Sequence, residues 1–198
     1  MRTWIIGSTS DYSKAVADRC VGVTKFGRDS IDYGTSFESF IKKQEHLPDR
    51  IFLNIGIEDK ISVHIDQPDG DYINMLNEFS KTWLWKIRLY SWFYKKNIPC
   101  TICDVTSTIT LWPQKYREAL PYAVLRGMGQ QAAMAHSTDV LKIFQVSPNG
   151  ITPERTNEYA DKTVAWMENP NNAPNFIVDL DNNVLVGVRS PAAGLVKR

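Results

Sequence analysis

No uninterrupted apolar run reaches the roughly 18 residues that a membrane-spanning helix needs, and the most aromatic segment, Trp83 to Tyr94, is broken by Lys86, Arg88 and Ser91. A bilayer helix is excluded. The first residues offer no basic region followed by an apolar stretch and a cleavage site; they lead straight into a strand-like Thr3-Trp4-Ile5-Ile6, so export is not expected and a cytoplasmic setting is. Charge of one sign is not in excess: 23 basic side chains face 22 acidic ones, net +1, and no overall field recruits nucleic acid or an anionic membrane. Cysteine is scarce. Cys20, Cys100 and Cys103 form an odd set that suits reduced thiols rather than a disulfide framework. Cys100-Thr-Ile-Cys103 has redox spacing, but it lies within a β-type run instead of at a helix start, so it reads as two structural thiols. Asp66, Asp69 and Asp71 lack the ligand loop and terminal Glu of a calcium site, so no metal is expected. There is no internal repeat and no low-complexity segment.

What is present is a chain of 198 residues, 43% hydrophobic and 23% charged, which suits one globular domain with a sizeable core. Short apolar runs alternate with helical patterns, the arrangement of a mostly parallel sheet covered by helices on both faces. Trp4 to Ile6 reads as a strand, Tyr12 to Cys20 as a helix capped by Ser10 and Asp11, and Val21 to Thr24 as a second strand. Phe37 to Gln44 follows as a short helix and Arg50 to Gly56 as a buried strand. Glu58 to Asp71 reads as a loop over one end of the sheet. A long helix over 72–96, a strand over Thr101 to Val105, a helix over 122–137, a strand over Val140 to Val146 and a helix over Asn157 to Met167 come next. Phe176 to Leu180 and Val184 to Val188 flank a tight turn at Asp181-Asn182-Asn183. In such sheets ligands bind beyond the carboxyl ends of the strands. Gly7, Asn54-Ile55-Gly56, Ser107 and Pro148-Asn149-Gly150 all fall at those ends.

Taken in order, "GSTSDYS", "LNIG", "DVTSTIT", "YAVLR" and "VSPNGIT" resemble the motifs of the short-chain dehydrogenase/reductase family over nearly the whole chain, from Trp4 to about Asp181. The resemblance implies a single Rossmann-like, doubly wound α/β domain that binds NAD or NADP. It implies that Gly7, with Ser8, Thr9 and Asp11, forms the phosphate-binding turn. Asn54 and Gly56 are similar to the Asn-Ala-Gly beside the cofactor ribose, and Asn149, Gly150, Ile151 and Thr152 to the segment that approaches the nicotinamide carboxamide. Ser107 would orient a small carbonyl or alcohol substrate, Tyr122 would be the general acid/base, and Arg126 stands where the family has a lysine.

That chemistry is physically coherent, because a nearby cation favours the phenolate of a tyrosine whose reference pKa is about 10. Several departures pull the other way. Asp11 and Ser13 occupy the places of the second and third glycines of the family's turn, and Asp11 brings a carboxylate towards a diphosphate. Arginine at 126 keeps the charge but cannot relay a proton. The alternative reading is therefore a catalytically inactive member of the same fold serving as a binding or structural subunit. Lys25 and Arg28, after the second strand, favour NADP over NAD by offering cations to a 2′-phosphate; Asp32 is similar to an acidic residue near the adenine. Apolar groups surround most of the Trp83 to Tyr94 helix, and small residues line 127–135. Helices 72–96 and 122–137 are thus the expected surface of a homodimer or homotetramer.

Overall fold

A computed structural model describes residues 1–27, 29–33, 36–55, 69–106, 131–133, 135–169 and 176–187. Among these residues seven strands form one sheet: β1 (Thr3–Ile6), β2 (Val23–Phe26), β3 (Arg50–Leu53), β4 (Cys100–Val105), β5 (Leu141–Ser147), β6 (Phe176–Asp179) and β7 (Val184–Gly187). Their spatial order is β2-β1-β3-β4-β5-β6-β7. The first six run parallel, and β7 returns antiparallel on β6. Four helices with described bounds connect them: α1 (Asp11–Arg19), α2 (Phe37–Ile41), α3 (Asp69–Lys96) and α4 (Pro153–Glu168). Residues 131–133 and 135–136 are also helical.

The central strands are mostly apolar because both of their faces are covered. Alternate residues sort the core into two halves. On one face Trp4, Ile6, Ile51, Leu53, Ile102 and Ile143 meet α2 and the Trp85, Leu89, Tyr90 and Phe93 side of α3. On the other, Ile5, Phe52, Cys103, Phe144 and Val146 meet Tyr12 and Val16 of α1 and Tyr159 and Val164 of α4. Fully burying one such Leu, Ile or Phe contributes roughly 1.5–3 kcal/mol, so the two halves together dominate the driving force for folding. Helices α1 and α4 are also joined by polar links: the buried Tyr12 hydroxyl bonds Thr163 Oγ1 at 2.5 Å, and Arg19 reaches Asp161 at 2.5 Å and Asn157 at 3.1 Å.

Several boundaries differ from the sequence reading: α3 begins at Asp69, within the stretch read as a loop, α4 begins at Pro153 rather than Asn157, β3 ends at Leu53 rather than Gly56, and β2 ends at Phe26 rather than Thr24. The second strand starts at Val23 rather than Val21, because Gly22 turns the chain with φ 59° against Met1 and lends its carbonyl to Thr3. The helix after Ser36 stops at Ile41 instead of Gln44. Strand β2 is the sheet edge, and its exposed Thr24 and Lys25 suit that place.

Candidate active site

Strand β2 lies on one side of β1 and β3 on the other, so the winding reverses between β1 and β3. In an open α/β sheet this reversal opens a crevice beyond the carboxyl ends of the strands, where ligands bind. The connections after β1, β3 and β5 all reach that edge.

The first connection is built on Gly7. Its φ is 82°, and a Cβ there would lie 2.1 Å from the carbonyl oxygen of Asn54, so only glycine fits. The Gly7 and Ser8 N–H groups both donate to the Phe26 carbonyl, at 2.9 and 3.2 Å, which ties the turn to the end of β2. Ser10 caps α1 by accepting from the Ser13 N–H at 3.1 Å. Ser13 is fully buried and donates its hydroxyl to the Gly7 carbonyl at 2.7 Å. Asn54 closes the set, donating from Nδ2 to Ser10 Oγ at 2.9 Å and to Ser13 Oγ at 3.0 Å. The first turn of α1 therefore packs against β1 through a hydrogen-bonded hydroxyl where a glycine would do so by having no side chain. Asp11 takes no part in that set. Its side chain is 85% exposed and pairs with Lys14 at 2.9 Å, so its carboxylate meets solvent beside a cation. Thr9 is exposed next to it.

The second connection runs over 148–152. Gly150 has φ 68° and nothing within 4 Å of where a Cβ would sit, so this turn opens outward. It is held from behind. The Asn149 carbonyl accepts from Arg155 Nη1 at 3.1 Å and lies 3.3 Å from the Tyr159 hydroxyl, while Arg155 and Tyr159 both donate to Asp181 Oδ1. The Arg155 guanidinium also stacks over the Tyr159 ring at 4.6 Å. Burial pushes the Tyr159 phenol well up, and its donation to Asp181 adds to that. Burial pushes the Asp181 carboxyl up too, but hydrogen bonds from Tyr159, Asn149 and Arg155 outweigh it and hold this carboxyl below its ordinary value. Thr152 stands at the N-cap of α4 without a side-chain capping bond, its carbonyl accepts from the Thr156 hydroxyl at 2.8 Å, and Ile151 is exposed.

Beneath the edge, on the α3 face, lies a buried ionic cluster. Asp104 of β4 accepts from Lys86 Nζ at 2.5 Å, the Tyr90 hydroxyl at 3.0 Å and Gln145 Nε2 at 3.2 Å. Burial, then the Asp104 charge, drives the Tyr90 phenol far above its ordinary value, so it serves here as a donor. Gln145 Oε1 and Ser147 Oγ, on the same face of β5, are buried with no hydrogen-bond partner among the described residues. Sequence reasoning passed over this cluster, although a signal existed: Lys86 interrupts an aromatic helix and Asp104 an apolar strand, and buried charges persist only when paired. Cys100 and Cys103 of β4 are buried on opposite faces of the sheet, and burial raises both thiols, which makes neither a nucleophile at neutral pH. Among the described residues no group of His, Cys, Asp and Glu side chains gathers as a metal site.

Gly7, Ser8, Thr9 and Asn54 thus meet at the switch point, with Asn149 to Thr152 along the same rim. Lys25 lies inside β2, where its Nζ is 4.0 Å from Asp18 on α1. Arg28, Gly56, Ser107, Tyr122 and Arg126 lie outside the described residues. No described helix is long and apolar enough to cross a membrane.

A sheet wound both ways from β1 and β3, with helices on both faces and a glycine turn leading into α1, defines a Rossmann-type α/β protein. Solved structures of short-chain dehydrogenases/reductases share this fold. A carbonyl reductase from Pseudomonas aeruginosa aligns with a TM-score of 0.68 over 94% of this chain and 100% of its own, at 13% identity. A 3-ketoacyl-(acyl-carrier-protein) reductase from Brucella melitensis, solved with NADH, gives 0.62 over 83% and 89%, at 14% identity. A short-chain dehydrogenase/reductase from Vibrio parahaemolyticus gives 0.58 over 82% and 91%, at 13% identity. No protein-family model and no curated protein matches the sequence.

Proposed function

We propose that this chain is an NAD(P)-dependent oxidoreductase of the short-chain dehydrogenase/reductase type, acting in the cytoplasm on a small carbonyl or alcohol substrate. The observation that supports the reading is the Gly7 turn meeting Asn54 at the switch point, with the open Gly150 turn along the same rim of the sheet. Those residues fit a dinucleotide: a tight strand-to-helix turn for the diphosphate, an amide beside the ribose and an unobstructed turn for the nicotinamide. When bound, the nicotinamide supplies the hydride acceptor or donor. Ser107 donates a hydrogen bond to the substrate oxygen, Tyr122 exchanges the proton, and Arg126 lowers the phenol's affinity for that proton by its fixed charge. NADP is favoured over NAD by Lys25 and Arg28, and the exposed Ile73, Leu76, Leu84 and Tyr94 of α3 support a homodimer or homotetramer through this helix and 122–137.

One observation favours the second reading, a binding or structural subunit without turnover. The hydroxyls of Ser10 and Ser13 and the Asn54 amide are spent on each other in the first turn, so that turn is complete without a ligand. Thermal melting with NADPH, NADP, NADH and NAD separates the two. A nucleotide at a hundred times its dissociation constant adds about 2.7 kcal/mol, which for a chain of this length raises Tm by roughly 5–10 °C. A shift with at least one nucleotide, followed by carbonyl reduction that Tyr122→Phe abolishes, supports the enzyme. No shift with any of the four ends it.

A further inference from the structure

A groove of about 760 Å³ runs between α2 and the second half of α3, lined by Phe37, Glu38 and Lys42 on one bank and Arg88, Trp92, Lys95 and Lys96 on the other. It lies away from the switch point. Helix α3 ends at Lys96 just before β4 begins, so the Lys95 and Lys96 end of the groove sits at the amino ends of the strands, opposite the rim that carries Gly7 and Asn149. The groove concentrates charge that the rest of the chain balances: four cations against the single carboxylate of Glu38, in a protein of net charge +1. Among the described residues none of the four cations pairs with a carboxylate. Lys95 and Lys96 have a structural explanation, since cations in the last turn complement the helix dipole. Lys42 has the same explanation as the C-cap of α2, but Arg88, two turns earlier, does not.

The spacing of the charges is regular. Arg88, Trp92 and Lys96 follow at every fourth residue and form one stripe along α3, with the two cations about 12 Å apart along the axis. The half-buried Trp92 lies between them and packs at 5.9 Å against Phe37 from the opposite bank. An apolar, aromatic floor flanked by fixed positive charges is complementary to a ring that bears phosphates. The volume is that of a small-molecule site.

We propose that this groove binds a nucleoside phosphate, its phosphates held by Arg88, Lys96 and Lys42 and its base set against Trp92. The proposal is independent of the redox reading, because it uses no residue of the switch-point crevice. It is tested by nuclear magnetic resonance of the Trp92 indole N–H, assigned with a Trp92→Phe sample, during titration with ADP and, separately, inorganic pyrophosphate. The expected result is a saturable shift with ADP at up to millimolar affinity, tighter than with pyrophosphate. It weakens at least tenfold when salt is raised from about 0.05 to 0.5 M and at least tenfold in Arg88→Glu/Lys96→Glu. The salt series on the unaltered protein keeps the test decisive if that variant does not fold. A stationary Trp92 signal, an equal shift from sulfate at matched ionic strength, an affinity untouched by charge reversal, or displacement of ADP by a polyglutamate peptide at lower concentration would each overturn the proposal. The last would mark an acidic protein as the partner.

Discussion

Replacing Lys86 by Met keeps the length of the side chain and removes its charge, which leaves the Asp104 carboxylate buried under the sheet edge with two of its donors, Tyr90 and Gln145. The two side chains of the pair are only 9% and 3% exposed, so solvent cannot take over the role of the ammonium. Breaking one side of such a pair costs about 3–5 kcal/mol, and the two surviving hydrogen bonds place this case near 3 kcal/mol. For a chain of this length that is a fall in Tm of roughly 6–12 °C. The pairing itself, as distinct from loss of lysine packing, is isolated by adding Asp104→Asn. Asn still accepts from Tyr90 and Gln145 but carries no charge, so the double variant should be more stable than Lys86→Met alone, and the two single losses should exceed the double loss by about 1.5 kcal/mol or more. Urea denaturation followed by circular dichroism, with equal m-values as the check on two-state behaviour, gives all three numbers. A loss below about 1 kcal/mol for Lys86→Met, or strict additivity in the cycle, would refute the account of a dry, coupled ion pair.

Gly7→Ala forces a left-handed residue and a methyl group into the Asn54 carbonyl; it should cost at least about 2 kcal/mol, and a variant with wild-type stability in thermal melting would show that the turn is not so closed. The Asp181 carboxyl, held below its ordinary 3.8, contributes stability that is fully present above that pH and is lost as pH falls towards the folded value. Asp181→Asn should therefore be less stable than wild type near neutrality by about 1.5–3 kcal/mol, with the gap narrowing below about pH 4 in acid-unfolding curves; a gap independent of pH would contradict this. Of the three thiols only the half-buried Cys20 should react with a disulfide reagent in the native protein, and slowly, since burial raises all three; rapid labelling of Cys100 or Cys103 before unfolding would contradict their placement.

The fold was legible because its signals are local. Strands such as Trp4 to Ile6 and Ile51 to Leu53 are short apolar runs, Ser10 stands where a cap belongs, and Asp181-Asn182-Asn183 lies between two β-rich runs that do pair antiparallel. The site was legible only where one residue's backbone decides it. Gly7 and Gly150 could be singled out in the sequence because turns at strand ends demand them. The exposed pairing of Asp11 with Lys14 is a rotamer choice that chain order does not carry. Arg155, Tyr159 and Asp181 gave no signal, since each looks like an ordinary surface residue of its own segment until α4 packs beside the β6–β7 turn.

By itself the sequence determined the class of architecture and the strand ends at which a ligand can be met, because periodicity, caps and turn residues act within a few positions of each other. Only the tertiary structure decided which polar groups share a partner. Asn54 reaches Ser13 across 41 residues and Lys86 reaches Asp104 across 18. A hydrogen bond or an ion pair depends on distances of a few tenths of an ångström, which packing of separate elements sets and local propensity does not.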